Sequence, residues 1–123
     1  MLHVNERYVD ETRDEKGNVV DYQYKYPENF NFAYDVIDVI AQAEPERRAM
    51  LWCNDKGEEH TFTFSDLEKY SNRAANLFTK LGIGRGDTVV LILKRHYEFW
   101  FALLGLHKVG AVGIPATNLL TKK

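Results

Sequence analysis

The chain has 123 residues, 45% hydrophobic and 28% charged, with a formal net charge of −2 and one cysteine. That is ordinary globular usage and enough length for one domain burying roughly two thirds of its unfolded surface. The acidic balance lacks the basic stripe of a nucleic-acid or anionic-membrane binder, the lone Cys53 excludes an intrachain disulfide, and no apolar run approaches the ~20 residues that span a bilayer. With a charged, tyrosine-rich start that is no signal peptide, the composition predicts a cytoplasmic protein.

Residues 1–30 are polar and read as an extended N-terminal arm. Asp14-Glu15-Lys16-Gly17-Asn18 is turn chemistry. Tyr22, Tyr24 and Tyr26 alternate with Gln23 and Lys25, the period of a strand. Three rings laid against the body explain them better than a platform for bases, because the surroundings are acidic.

Asn31 can cap a helix running to about Glu44, with Ala33, Val36, Ile37, Ile40 and Ala41 on one face. Asp35 and Asp38 fall where the helix dipole favours negative charge, and no histidine nearby turns them into a metal site. Pro45 ends the segment. Ala49 to Cys53 and Glu58 to Phe64 flank Asn54-Asp55-Lys56-Gly57 and form a β-hairpin. Cys53, beside Trp52, is expected as a small core residue rather than a catalytic thiol.

Ser65-Asp66-Leu67-Glu68 reads as a capping box opening a helix to about Leu81. Gly82 is its C′ glycine, with Ile83 folding back as in a Schellman motif. The glycines of Gly82 to Asp87 follow a helix and precede a strand. A phosphate-cradling loop has the opposite order, so a turn is expected.

Thr88 to Leu93 is a continuous β-branched run, the pattern of a strand buried on both faces. A helix follows from about Tyr97 to Val109, then Gly110 and a second strand from Ala111 to Ile114, closed by Pro115. This is one βαβ unit with a right-handed crossover. Its helix carries Phe99, Trp100, Phe101, Leu103, Leu104 and Leu106 almost all round, so it must pack on more than one side. Two parallel strands make no independent sheet. The residues alone therefore imply the opening piece of a larger α/β protein.

Lys94, Arg95, His96 and Thr117 lie beyond the carboxyl ends of the two parallel strands, where open α/β sheets gather ligands. A solvated loop explains them equally well. His3, His60, His96 and His107 are too scattered for a metal site. No catalytic, cofactor-binding or metal-ligating residue is assigned.

The stretches Phe62-Thr63-Phe64-Ser65-Asp66-Leu67, Ala74-Ala75-Asn76-Leu77, Gly82 to Val89, Glu98-Phe99-Trp100, Leu104 to Val112 and Ile114-Pro115-Ala116-Thr117 resemble, in order, the N-terminus of AMP-forming acyl-CoA synthetases. Asn31 to Val36 and Trp52 to Gly57 extend the likeness upstream. It looks closest to the acetyl and medium-chain branch of the adenylate-forming superfamily. The fold implied is α/β: the N-terminal part of the large domain of an adenylate-forming enzyme, with a β-hairpin, helices and one βαβ parallel unit, residues 31–123 being an incomplete subdomain. The chemistry implied for the parent joins a carboxylate to AMP from ATP, then to coenzyme A, with Mg²⁺. The family's phosphate loop, which resembles Thr-Ser-Gly-Thr-Thr-Gly, does not occur here. No family residue is carried over and no cofactor is assigned to this piece. It is expected to be an inactive scaffold whose partners are the remainder of the synthetase and, through surplus apolar surface, a copy of itself. The alternative is a stand-alone, non-catalytic interaction module derived from the family.

Overall fold

The computed structural model describes residues 2–120. The chain divides into two compact units between Phe30 and Asn31.

In the first unit a short helix α1 (Asn5–Tyr8) leads into strand β1 (Val9–Arg13), which pairs antiparallel with β2 (Val19–Tyr24). The turn between them is built by one carboxylate. Asp14 Oδ1 accepts from the backbone N–H of Lys16 at 2.9 Å and of Asn18 at 2.8 Å. Gly17 supplies the positive φ, 82°, that the turn demands. Bonds from Asn18 hold the Asp14 carboxyl below its ordinary range. The tyrosine alternation marked β2; β1 lacks any apolar alternation and is formed by pairing with it. The rings of Tyr8 and Tyr26 lie 4.9 and 6.2 Å from that of Phe30.

The second unit opens with α2, wound as a π-helix over Ala33–Asp38 and as an α-helix over Val39–Ala43. Asn31 caps it as expected: its Oδ1 accepts from Ala33 N–H at 3.0 Å. Strands β3 (Arg48–Cys53) and β4 (Glu59–Thr63) form the second hairpin. Its turn repeats the device of the first, with Asn54 Oδ1 accepting from Lys56 and Glu58 N–H and Gly57 at φ 78°. Along β3, Met50 and Trp52 turn inward, which leaves Cys53 exposed and corrects its expected core position.

Helix α3 (Phe64–Lys80) also starts earlier than its sequence suggested. The capping box is Thr63 and Asp66, not Ser65 and Glu68: Thr63 Oγ1 accepts from Asp66 N–H at 3.1 Å, and Asp66 Oδ2 from Thr63 N–H at 3.0 Å. Two further amides decide the register. Phe64 N–H donates to Arg47 O and Ser65 N–H to Pro45 O, so the segment before β3 draws the helix start forward. The far end obeys the glycine signal. Gly82 sits at φ 80°, its N–H donates to Thr79 O, and Ile83 N–H reaches Phe78 O, the paired bonds of a Schellman motif.

Gly84 to Asp87 is a turn, closed by Asp87 Oδ2 on Gly84 N–H at 2.8 Å. Strand β5 (Thr88–Leu91), helix α4 (Glu98–Val109) and strand β6 (Val112–Pro115) then complete the βαβ unit, with β5 and β6 parallel and Val90 opposite Ile114.

The all-round apolar character of α4 now has its cause. Phe101 and Leu104 pack into one cluster with Ala33, Ile37 and Leu67. Leu106 packs into a second with Leu91 and Ala111. The helix separates two cores and feeds both. It also lies hard against α3: a Cβ on Gly105 would come within 2.6 Å of Ala74 Cβ and 2.9 Å of Ala75 N. Where the helices cross, Lys108 Nζ donates to both oxygens of Asp38 on α2, at 2.8 and 2.7 Å, and to Asn72 Oδ1 on α3 at 2.7 Å. The lysine side chain is 1% exposed and its aspartate 10%.

Two substitutions test this packing. Gly105→Ala gains about 1 kcal/mol of helix propensity, but the contact is with backbone that cannot step aside. The expected net effect is destabilisation of about 1–3 kcal/mol in denaturant unfolding. Lys108→Met strands the Asp38 carboxylate and is expected to cost about 3–5 kcal/mol, whereas Asp38→Leu combined with Lys108→Met recovers most of that loss. Equal destabilisation by the single and double variants would refute the pairing.

Candidate functional site

The βαβ unit places a groove beyond the carboxyl ends of β5 and β6. Leu91, Leu93, Phe99, Trp100 and Pro115 form its apolar part, and Lys94, Arg95, His96 and Thr117 its polar rim; the volume is about 510 Å³. A second hollow of about 600 Å³ shares that rim and extends to Asn118 and Leu119. The structure thus brings Lys94, Arg95, His96 and Thr117 to one edge, as the strand order implied.

The rim is held in a costly conformation. Lys94 has φ 46°, in the left-handed region, a cost of about 1–2 kcal/mol for a residue with a side chain. Trp52 on β3 offsets it: its indole Nε1–H donates to Arg95 O at 2.7 Å. His96 N–H closes the loop onto Leu93 O at 3.0 Å. Tyr97 then wedges among Trp52, His60 and Phe62, with ring centres 5.3, 5.4 and 5.0 Å away. The hairpin therefore positions the loop that carries the cations. Sequence reasoning missed Trp52; its partner is 43 residues away, and only its place at an inward strand position was readable.

Chemically the rim can attract and orient negative charge. It presents no nucleophile beside a base: Thr117 Oγ1 accepts from Leu119 N–H, and His96 Nδ1 lies 3.9 Å from Glu98. Among the described residues no three metal-ligating side chains converge. Asp35 accepts from Asn31 N–H at 2.6 Å, and Asp38 answers Lys108, so that carboxylate pair is committed to structure. Tyr22, Tyr24 and Tyr26 stay exposed in the first unit. His60 is a member of the ring cluster around Tyr97.

Burial perturbs His107. Its Nδ1 is buried without a hydrogen-bond partner, and desolvation lowers its pKa below the ordinary 6.5.

Comparison with known proteins decides the family. Residues 37–123 match the AMP-binding enzyme family. This chain belongs to it. Over 103 residues the chain is 41% identical to acyl-coenzyme A synthetase ACSM4, mitochondrial, of Rattus norvegicus, covering 79% of this chain and 18% of that relative. Over 106 residues it is 39% identical to ACSM1, mitochondrial, of Homo sapiens, with 81% and 18% covered. The chain thus spans about a fifth of the length of these relatives. Among solved structures it resembles a Mycobacterium tuberculosis fatty acyl CoA synthetase, with TM-score 0.65 at 28% identity over 73% of this chain and 17% of the other. The fatty acid AMP ligase of Legionella pneumophila shares the fold, with TM-score 0.68 at 22% identity over 73% and 16%. The α/β reading and the resemblance both stand. The cytoplasmic expectation does not, because the curated relatives are named mitochondrial. A lone cysteine and a balanced charge describe any reducing compartment, so composition had no means of telling two such compartments apart.

The lowered His107 pKa fixes a pH dependence. Well above pH 6.5 both folded and unfolded chains hold the ring neutral, and this group's contribution to stability is level. Below it the unfolded chain takes up a proton that the folded chain resists, so stability falls with pH until the folded pKa is passed. Thermal unfolding across that range should show the decline, and His107→Leu should flatten this part of it.

Proposed function

We propose that this chain is the N-terminal scaffolding portion of an AMP-forming acyl-CoA synthetase. The whole enzyme would activate a carboxylate with ATP and Mg²⁺ to an acyl-adenylate, releasing pyrophosphate, and then pass the acyl group to the thiol of coenzyme A. The observation that carries this reading is the extent of the match: about 40% identity over some hundred residues to acyl-coenzyme A synthetases that are about five times longer. The mitochondrial naming of those relatives supports a mitochondrial setting.

The role assigned to this portion is mechanical. It supplies one flank of the large domain and a cationic groove at the edge of its first parallel strands. The groove residues lack a nucleophile–base pair, which supports placing the reacting groups in the remainder of the enzyme. The outer face of β5 and β6 supports the docking of that remainder. Val90, Val112 and Ile114 are 55%, 52% and 44% exposed there, and Ile92 just beyond is 52% exposed. Parallel strands are ordinarily covered on both faces. In isolation the same face offers a route for apolar self-association.

ATP–pyrophosphate exchange tests the assignment. The isolated chain is expected to show no exchange above buffer with any carboxylate offered. Turnover that scales with chain concentration would defeat the scaffold reading.

A further inference from the structure

Strand β2 has one partner and one free edge. Lys25 N–H donates to Tyr8 O at 2.9 Å, and the register sets Gln23 opposite Asp10 and Asp21 opposite Thr12. The backbone groups of Asp21, Gln23 and Lys25 therefore turn toward β1. By the alternation of an antiparallel ladder, those of Tyr22 and Tyr24 face the other way, while the register shift between Thr12 and Arg13 leaves Val20 in a bulge. Among the described residues no third strand meets them, and β2 is exposed along its whole length. Tyr22 N–H is satisfied instead by its neighbour, Asp21 Oδ1, at 2.8 Å. A two-stranded ribbon is marginal alone, and an unpaired edge is a template for another strand.

We propose that residues 21–25 pair antiparallel with the same residues of a second copy, about a twofold axis at Gln23, forming a four-stranded sheet. This surface is separate from the apolar face of β5 and β6, and the inference does not rest on the synthetase reading.

Self-complementarity selects the partner and the register. With Gln23 opposite its own copy, Asp21 meets Lys25 of the second copy, and the symmetry makes that ion pair twice. On the other face Tyr22 meets Tyr24, extending the Tyr22–Tyr24 edge-to-face contact, 5.3 Å between rings, across the axis. Moving the register by two residues either way loses both ion pairs, setting Asp21 against Gln23 or Pro27. The register also agrees with the backbone: Tyr22 and Tyr24, whose groups face the free edge, become hydrogen-bonded partners. Asp21 gives up Tyr22 N–H to the new ladder and takes the ammonium in exchange. Lys25 already binds Asp10, and its three N–H groups allow it to bridge both carboxylates.

The test uses the 123-residue chain. Non-hydrogen-bonded partners sit with Cα atoms about 4.5 Å apart, within disulfide range. In a Cys53→Ser background, Gln23→Cys should give a disulfide-linked dimer under mild oxidation. Val20→Cys, about 20 Å from its own copy in this register, should not. By sedimentation equilibrium the unmodified chain should dimerise reversibly. Asp21→Lys should weaken that at least about tenfold. Tyr24→Pro should do the same, since the N–H it removes lies on the free edge and not in the ladder to β1. A monomer at every concentration overturns the proposal. So does a dimer that Asp21→Lys leaves unchanged, one that links at Val20→Cys rather than Gln23→Cys, or one weakened only by Val112→Asp.

Discussion

One buried ammonium ties the second unit together. Lys108 takes a charge out of water at the end of α4, which is tolerable only if oxygens replace the lost hydration. Both Asp38 oxygens and the Asn72 side chain do so, within 2.8 Å. The Tyr34 ring, 5.2 Å from Nζ, closes another side. These partners come from α2 and α3, so satisfying one lysine fixes three helices at once. Apolar contacts alone would accept a range of crossing angles; a three-way hydrogen-bonded ion does not. The winding of α2 changes from π to α at Asp38, the residue that meets the lysine. An apolar replacement of similar volume would hold the helices about as firmly, so the node bears on arrangement more than on total stability.

Everything near the groove depends on that arrangement. Gly105 lets α4 lie on Ala74 and Ala75, and Asn31 Nδ2 donates to His107 O at 2.8 Å, fastening the start of α2 to the end of α4. Gly110 then turns the chain left-handed, at φ 73°, and delivers β6 alongside β5. The other end of α4 presents Phe99 and Trp100 to the groove, below the loop that Trp52 latches. A tilt of α4 would shift the floor of the groove, the rim loop and the parallel strand pair together.

Local signals were legible in the sequence because local physics decides them. Asp14-Lys16-Gly17-Asn18 and Asn54-Lys56-Gly57-Glu58 are the same turn written twice, and Gly82 and Gly110 end helices as their positions implied. Errors arose where a distant segment intervened. Ser65 looked like a cap until Pro45 and Arg47 claimed the first amides of α3. Cys53 looked like core beside Trp52, but a strand sends neighbours to opposite faces. The Lys108–Asp38 pair spans 70 residues of sequence, and no spacing rule joins them. A hint was present: a lysine in a helix otherwise apolar on nearly every side must find an anion or break the packing. The edge carrying Lys94, Arg95 and Thr117 was placed by topology alone, while the latch that shapes it required the fold.

The two sides of the βαβ unit are finished to different degrees, and the polar groups explain why. On the helix side Lys108, Asp38 and Asn72 demand mutual satisfaction, so α2, α3 and α4 close around them. On the outer side β5 and β6 carry β-branched residues, Thr88 among them, and no charge. Such a face is compatible with water for a time and with any apolar surface of matching shape. The directional interactions are therefore spent on making the helical layer rigid, while the sheet face keeps only non-directional adhesion. That division fixes the shape of the helical layer and leaves the sheet face adaptable. The helical layer is ordered by an ion, and the adaptable face is marked by the exposed Val90, Ile92, Val112 and Ile114.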